Sequence, residues 1–283
     1  MEWCELEGDT QPQPRHQLQL SAFGIVRDSK LLCRHGGEYE DGSGYQTLVE
    51  QWNGASWTVI SSTTIGTGSN FLNSVSCSSA VFCVAAGSYY NVSENQTLVE
   101  QWNGASWTVV PSPNLGTNHN FLNSVSCVTA DFCVATGKYM GGSGDQTLVE
   151  KWDGTSWTVT PSPNTGTYNN SLNSVSCLAV SFCVATGIYN GAAYVGPPHQ
   201  TLVEQWDGTS WTVTPSANTG TDDNVLESVS CVTVSSCVAV GYSDNRSVDQ
   251  TLVLSLTGAE PPTTTTTPPT TTSSDLVAPA FTG

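Results

Sequence analysis

Residues 46–59 (QTLVEQWNGASWTV) recur without change at 96–109 and, with small substitutions, at 146–159 and 200–213. A truncated version begins at Gln250, where TLVLSL replaces TLVEQW. Paired tryptophans keep the register: Trp52, Trp102, Trp152 and Trp206 are followed by Trp57, Trp107, Trp157 and Trp211. A second block precedes each copy from the second onward, LNSVSC at Leu72, Leu122 and Leu172 and LESVSC at Leu226. After it come five residues, another cysteine and a short apolar run ending in glycine. A period of about 50 residues means that one small unit is built several times over. Such a unit cannot bury its apolar surface alone, so the fold must stack the copies.

Each unit contains four short strand patterns. Strand A is the LNSVSC block, strand B a run such as 132–137 (FCVATG), strand C is QTLVEQW and strand D is SWTVV or a relative. All are rich in Val, Thr, Trp and Phe and are bounded by turn residues. The C–D turns carry Asn53-Gly54, Asn103-Gly104, Asp153-Gly154 and Asp207-Gly208, which favour tight reversals. Prolines follow strand D at Pro111, Pro161 and Pro215, where no ladder hydrogen bond is lost. No stretch has a helical apolar period. Four strands per repeat of this length predict an all-β propeller of about five blades, four clear and one degenerate, complete or part of a larger ring.

The pattern SVSC-x5-CVA-x-G followed by W-[ND]-G-x-S-W, as in VATGKY at 134–139 and TLVEQWNGASWTVVPSP at 97–113, carries a family resemblance. It is similar to the kelch-like blades of secreted bacterial β-propeller repeat proteins. The resemblance covers residues from about Phe71 to Gly258 and implies a propeller in an extracellular setting.

Charge narrows the function classes. Seven Lys and Arg stand against 24 Asp and Glu, a net charge of −17. A phosphate backbone would be repelled, which excludes nucleic acid as a partner. No apolar run approaches the roughly 20 residues that span a bilayer, so no membrane insertion is expected. G-x-S-x-G, P-loop, dinucleotide and His-rich metal motifs are absent, and neither metal nor cofactor is expected. The expected class is a monomeric, non-catalytic recognition module with a glycan or protein ligand. The catalytic alternative is a glycoside hydrolase, which needs two opposed carboxylates. Asp222, Asp223 and the B–C loop acids are candidates to supply them, and Asp145, Asp244 and Asp249 are candidates for a calcium role.

The ends differ from the middle. Residues 1–36 hold four of the seven basic residues and are foreign to the repeats, as a mis-framed start or a diverged blade would be. Residues 37–258 hold the repeats, and 259–283 a Thr/Pro-rich linker or stalk. Strand C of the last unit is not followed by a strand D. Gln17-Leu18-Gln19-Leu20 alternates suitably to supply one and close a five-bladed ring.

Four cysteine pairs share the spacing C-x5-C: Cys77/Cys83, Cys127/Cys133, Cys177/Cys183 and Cys231/Cys237. Each pair ends strand A and opens strand B, so the thiols face each other across a hairpin. A disulfide in each hairpin is expected, and with it an oxidising compartment. Cys4 and Cys33 are left over and could pair together.

Length variation points to the working surface. Eight residues separate Gly87 from Gln96, but twelve separate Gly187 from Gln200, so the B–C loop tolerates change. In a propeller the B–C and D–A loops share one face, and scaffold-borne loops carry function. Each D–A loop reads G-T-x-x-N and closes with Asn70, Asn120, Asn170 or Asn224. These asparagines either cap an Asx-type turn or offer a ring of amides to a ligand. Variable neighbours include His119, Asp222 and Asp223. Tyr89, Tyr139 and Tyr189 recur two residues after the strand B glycine, either packing on a neighbouring blade or forming a sugar-stacking platform. The tryptophans are expected between blades. Glu50, Glu100, Glu150 and Glu204 on strand C are expected in solvent or bonded to neighbouring backbone.

Overall fold

The computed structural model describes residues 19–25, 33–40, 45–53, 55–66, 68–142, 144–190, 198–244 and 248–256, with backbone alone for the first two segments. Among these residues there are nineteen strands in five antiparallel sheets and no helix. Blade 1 comprises β1 (Gln19–Ile25), β2 (Cys33–Glu40), β3 (Tyr45–Trp52) and β4 (Trp57–Ile60). Blade 2 follows with β5 (Asn70–Ser79), β6 (Phe82–Asn91), β7 (Glu94–Trp102) and β8 (Trp107–Val109). Blade 3 holds β9 (Asn120–Thr129), β10 (Phe132–Met140), β11 (Asp145–Trp152) and β12 (Trp157–Val159). Blade 4 holds β13 (Asn169–Ala179), β14 (Phe182–Asn190), β15 (Gln200–Trp206) and β16 (Trp211–Val213). Blade 5 has three strands, β17 (Asn224–Thr233), β18 (Ser236–Asp244) and β19 (Asp249–Leu256).

The chain is a β-propeller. Strands meander outward within each sheet, and the inner strands β1, β5, β9, β13 and β17 pack one on the next. Gln19 and Leu20 lie in β1 opposite Glu38 and Gly37, so this segment is the inner strand of blade 1 and not the outer strand of blade 5. Register explains why: Gly37 faces Leu48 as Gly87 faces Leu98, which puts the N-terminal segment at the strand A position of its own repeat. Gln17 and Leu18 fall outside the described residues, as does any pairing of Cys4 with Cys33.

Each core lies between blades. Val84, Ala86 and Val99 form the leading face of blade 2, and they pack on Leu122, Val125, Ala135, Leu148, Trp152 and Trp157 of the trailing face of blade 3. Equivalent sets join blades 1 and 2, 3 and 4, and 4 and 5. In blades 2 to 4 both sheet faces are thus buried, which is why strand C there reads as a continuous TLV run and not as an alternation. Burying one such Leu or Val fully contributes roughly 1.5–3 kcal/mol. The tryptophans sit here as expected: Trp152 and Trp157 are cross-strand partners with ring centroids 5.8 Å apart, and Trp152 Nε1 donates to the Ala130 carbonyl.

A bulge sets the junction. Register slips between Thr136 and Gly137, where Asn123 on β9 has no partner on β10, and likewise at Asn73, Asn173 and Glu227. The bulged asparagines reach forward. Asn73, Asn123 and Asn173 donate from Nδ2 to the carbonyls of Leu122, Leu172 and Leu226 in the following blade, at 2.8–3.0 Å. Ser124 and Ser126 then accept the N–H groups of Val175 and Cys177, and every inner junction from blade 2 onward repeats this. The bulge also accounts for the strand B glycine, because a Cβ on Gly137 would lie 2.0 Å from the Phe121 carbonyl oxygen. Gly137→Ala is therefore expected to cost roughly 3 kcal/mol by overpacking, read as a fall in Tm. An unchanged Tm would mean that the bulge relaxes freely.

All four predicted hairpin disulfides are present: Cys77–Cys83, Cys127–Cys133, Cys177–Cys183 and Cys231–Cys237. Cys127 stands directly opposite Cys133 with Cα atoms 4.0 Å apart, and the other three pairs match. Each bond lies within its own A–B hairpin, as expected, and also borders a junction between blades. The strand B members Cys83, Cys133, Cys183 and Cys237 are 0%, 0%, 0% and 2% exposed, and each belongs to a core cluster between blades. Strand B is the second strand of its sheet, flanked by strands A and C, so its inward side chains are covered from every direction. These cysteines are therefore packing residues of the junctions and take no part in the loop face.

Candidate functional site

The B–C and D–A loops of each blade are laced together by backbone hydrogen bonds. In blade 2 Tyr90 N–H donates to the Ser69 carbonyl, and in blade 3 Met140 donates to His119. Blade 4 uses Tyr168 to Asn190, and blade 5 Asp244 to Asp223. Chain segments about 20 residues apart in sequence thus form one rim, which gathers the candidate residues.

Within that rim the four asparagines are buried and spent on the loop itself. Asn120 Oδ1 accepts from Leu115 N–H, while its Nδ2 donates to the carbonyls of Leu115 and Asn118. Asn70 and Asn170 repeat the two-sided clamp, and Asn224 accepts from Thr219 and donates to Asp222. They fix the D–A loop, and their amides turn inward.

The tyrosines Tyr89, Tyr139 and Tyr189 are half-buried against the blade cores. Tyr89 donates its hydroxyl to Gln96 Oε1 at 3.0 Å, and Tyr189 bonds Gln200 in the same way. In these two blades the ring packs on the core at one side and holds the first residue of the strand C motif with its hydroxyl. The glutamine recurs at every repeat start, and that recurrence was the signal available for the pairing.

The variable positions do reach the surface. His119 stacks on Phe121, and its Nδ1 accepts the Asn95 N–H at 2.9 Å, which leaves Nε2 as the free ring position. Asp223 Oδ1 accepts the His199 N–H at 2.7 Å and lies 3.3 Å from His199 Nδ1. Lys138 pairs with Asp145 at 2.6 Å. Around blade 5 the acids gather: burial first, then the charges of Glu227, Asp249, Asp223 and Asp244, raise the Tyr242 phenol above its ordinary value. Among the described residues no three His, Cys, Asp or Glu side chains converge as a metal site. In the blade 2 B–C turn, Val92 holds φ at 57° and is almost wholly exposed. A β-branched residue in that region is strained, and such strain is often kept at working loops.

Three of the four strand C glutamates depart from the solvent expectation, Glu50 being half-buried, while Glu100 Oε2 accepts the Thr63 N–H at 3.3 Å as the backbone alternative allowed. Glu100, Glu150 and Glu204 are fully buried between blades, with no cation beside them. Ser112 Oγ of blade 2 lies 2.7 Å from Glu150 Oε2 and 2.9 Å from Thr97 Oγ1, a Thr–Ser–Glu chain across the junction. Thr47–Ser62–Glu100 and Thr147–Ser162–Glu204 repeat it. Desolvation is the chief cause that lifts these carboxyls to about 7 for Glu100, about 8 for Glu150 and about 7 for Glu204. They are buried hydrogen-bonding groups of the scaffold, each held by a serine of the preceding blade's D–A segment. The co-recurring serine after strand D was the sequence signal for them.

No protein-family model matches the chain, and no curated protein matches it. Several solved structures are similar at low identity. YCF48 bound to a D1 peptide is 12% identical, with 85% of this chain and 68% of that one covered at a TM-score of 0.44. A GH130 mannoside phosphorylase family member, described as targeting β-1,2 mannosidic linkages in Candida mannan, is 10% identical, covering 87% and 88% at 0.40. A glycosyl hydrolase from Bacteroides ovatus is likewise 10% identical, covering 87% of each chain at 0.40.

Proposed function

We propose that this chain is a non-catalytic extracellular recognition propeller that binds glycans through its B–C and D–A loop rim. One observation carries the reading: in blades 2 to 5 a buried asparagine bonded within its own D–A loop holds the rim, while the side chains displayed on it differ. Clamped asparagines hold the loops, and His119, Tyr168, Asp222 and Asp223 vary upon them. Tyr89, Tyr139 and Tyr189 supply ring faces beside polar groups, a combination suited to sugar hydroxyls and sugar faces. Disulfides in four of the five A–B hairpins fit an oxidising environment, which supports the extracellular assignment. Catalysis is not part of this reading.

A peptide ligand is the second reading, favoured by the exposed Tyr90, Val92 and Met140 on the same rim. The test is a polyvalent glycan array run beside monomeric sugars. Polyvalent display is expected to improve apparent affinity by roughly a hundredfold or more, as repeated weak sites on a rigid frame should. Combined Tyr89→Phe, Tyr139→Phe and Tyr189→Phe variants keep the packing and test the hydroxyls, while the alanine set tests the rings. Binding that survives loss of all three rings, or an array with no bound glycan, would end the glycan reading.

A further inference from the structure

Two of the buried strand C glutamates end a chain of hydroxyls that begins at the loop rim. In the junction of blades 3 and 4, Glu204 Oε2 lies 2.7 Å from Ser162 Oγ, and Ser162 Oγ lies 3.0 Å from Thr147 Oγ1. Thr147 Oγ1 is 3.3 Å from Asn164 Oδ1 and 3.5 Å from the Pro163 carbonyl. The Thr147 N–H donates to the same Asn164 Oδ1 at 2.9 Å. Asn164 opens the loop that Asn170 clamps at Gly166, accepting its N–H and donating to its carbonyl. Glu150, Ser112, Thr97 and Asn114 repeat the chain one junction earlier, beside Leu115 and its clamp Asn120.

Such a chain has too few protons to make every bond in both states of the acid. Each hydroxyl carries one, and an ionised carboxylate only accepts. With Glu204 ionised, Ser162 donates to it and Thr147 must donate to Ser162, so no hydroxyl proton is left for the loop. With Glu204 protonated, the acid donates to Ser162, Ser162 to Thr147, and Thr147 to Asn164 or Pro163. A proton on Oε1 would be wasted, because that oxygen has no hydrogen-bond partner among the described residues. One proton therefore sets the direction of the whole chain. The junction is lined by Val149, Ala185, Leu202 and Trp206, and its charged side chain is Lys151, whose ammonium lies 5.6 Å from the Trp206 ring centroid. Burial is what raises the Glu204 carboxyl, to about 7, and no neighbouring charge is among the causes.

Blade 5 supplies a natural comparison. Leu254 stands where Glu150 and Glu204 stand, so Ser216 at the junction of blades 4 and 5 has no acid to serve. Its hydroxyl turns back to the Thr201 carbonyl of its own blade at 3.1 Å, and Thr201 Oγ1 keeps Asn218 Oδ1 at 3.2 Å. That chain has no titrating end. We propose that Glu150 and Glu204 are proton-operated anchors of the D–A loops: with its proton each acid sends hydroxyl hydrogen bonds out to the loop, and without it each draws them back into the junction. The loops leading into blades 3 and 4 are thus held tighter in acid than in alkaline medium. This is a regulation of the rim, and it rests on the reading of the rim as the binding surface.

The test needs no ligand, so its failure is distinct from failure of the glycan reading. A pH titration of the full chain is followed by NMR at the Gly166 N–H, whose loop holds no histidine, whereas His119 sits in the loop of Leu115. The Gly166 resonance is expected to shift with the midpoint of Glu204. Its exchange, corrected for the intrinsic pH dependence, should quicken at least about threefold above that midpoint. Glu204→Gln, which cannot ionise, and Ser162→Ala, which cuts the chain, should each abolish both changes. The Thr219 N–H in the blade 5 loop should behave alike in parent and variants. No transition at Gly166, or one that survives in either variant, overturns the proposal. A variant that alters Thr219 as strongly as Gly166 reports general loosening and overturns it too. Ser162→Ala removes only a hydroxyl and carries the test alone should Glu204→Gln not fold.

Discussion

Raising the pH from about 5 to about 9 is expected to destabilise the folded chain, in the sense opposite to that of salt-bridged carboxylates. In the unfolded chain Glu100, Glu150 and Glu204 lose their protons near the ordinary value of 4.5. In the folded chain burial holds those protons up to about 7, about 8 and about 7. Between these limits the folded state binds more protons, so stability falls as pH rises and levels off above the folded values. Each glutamate can cost at most on the order of 3 to 5 kcal/mol across that window. A triple variant, Glu100→Gln, Glu150→Gln and Glu204→Gln, should flatten the profile and be more stable than the parent at the alkaline end. Its buried amides lack full hydrogen bonding, so it should be less stable at the acid end. Denaturant melts across the range check both limbs. A parent profile that is flat or rises with pH, or a variant that follows the parent, contradicts the account. At the far acid end Asp153 and Asp207 act in the opposite sense. The Thr155 and Thr209 hydroxyls, with nearby N–H groups, hold these two carboxyls at about 2. What they add is lost as pH falls below their ordinary range.

Reduction should have the other large effect. A hairpin disulfide of this loop length contributes about 2 kcal/mol in the chain-entropy model. Four of them lie at successive blade junctions, and their strand B members Cys83, Cys133, Cys183 and Cys237 are buried there. Treatment with a strong thiol is expected to lower the denaturant midpoint substantially, because a total of several kcal/mol is a large share of ordinary domain stability. Single replacements such as Cys127→Ala with Cys133→Ala should each remove about a quarter of the loss. If full reduction leaves the midpoint in place, the bonds constrain only what the hairpins already hold.

The fold was legible because its determinants are periodic. Trp102 with Trp107, the C-x5-C pairs and the strand B glycines repeat at one spacing, and each reports a local geometry that no distant residue alters. Ring closure was not legible from Gln17 to Leu20, since alternation is common to every strand and only the Gly37–Leu48 register assigns β1 to blade 1. Glu150 misled for a related reason. A glutamate without a nearby cation in sequence suggests solvent, yet its partner is Ser112, 38 residues away on the preceding blade. Junction chemistry of that kind is invisible to a reading made one repeat at a time. The loop rim was half legible: its location followed from length variation, but the inward turn of Asn70, Asn120, Asn170 and Asn224 depends on loop closure.

The forward reach of Asn73, Asn123 and Asn173 gives the molecule a grammar of inheritance. Blades 2 to 4 each address their successor by the same words, a side-chain amide to one carbonyl and two serine hydroxyls to two amides. An unequal crossover between neighbouring copies therefore cuts and rejoins the chain without leaving a mismatched seam. Copy number can drift by whole units while every surviving seam stays chemically intact. Blades 2 to 4, joined by one set of contacts, are in that sense interchangeable units that differ in the residues shown on the rim.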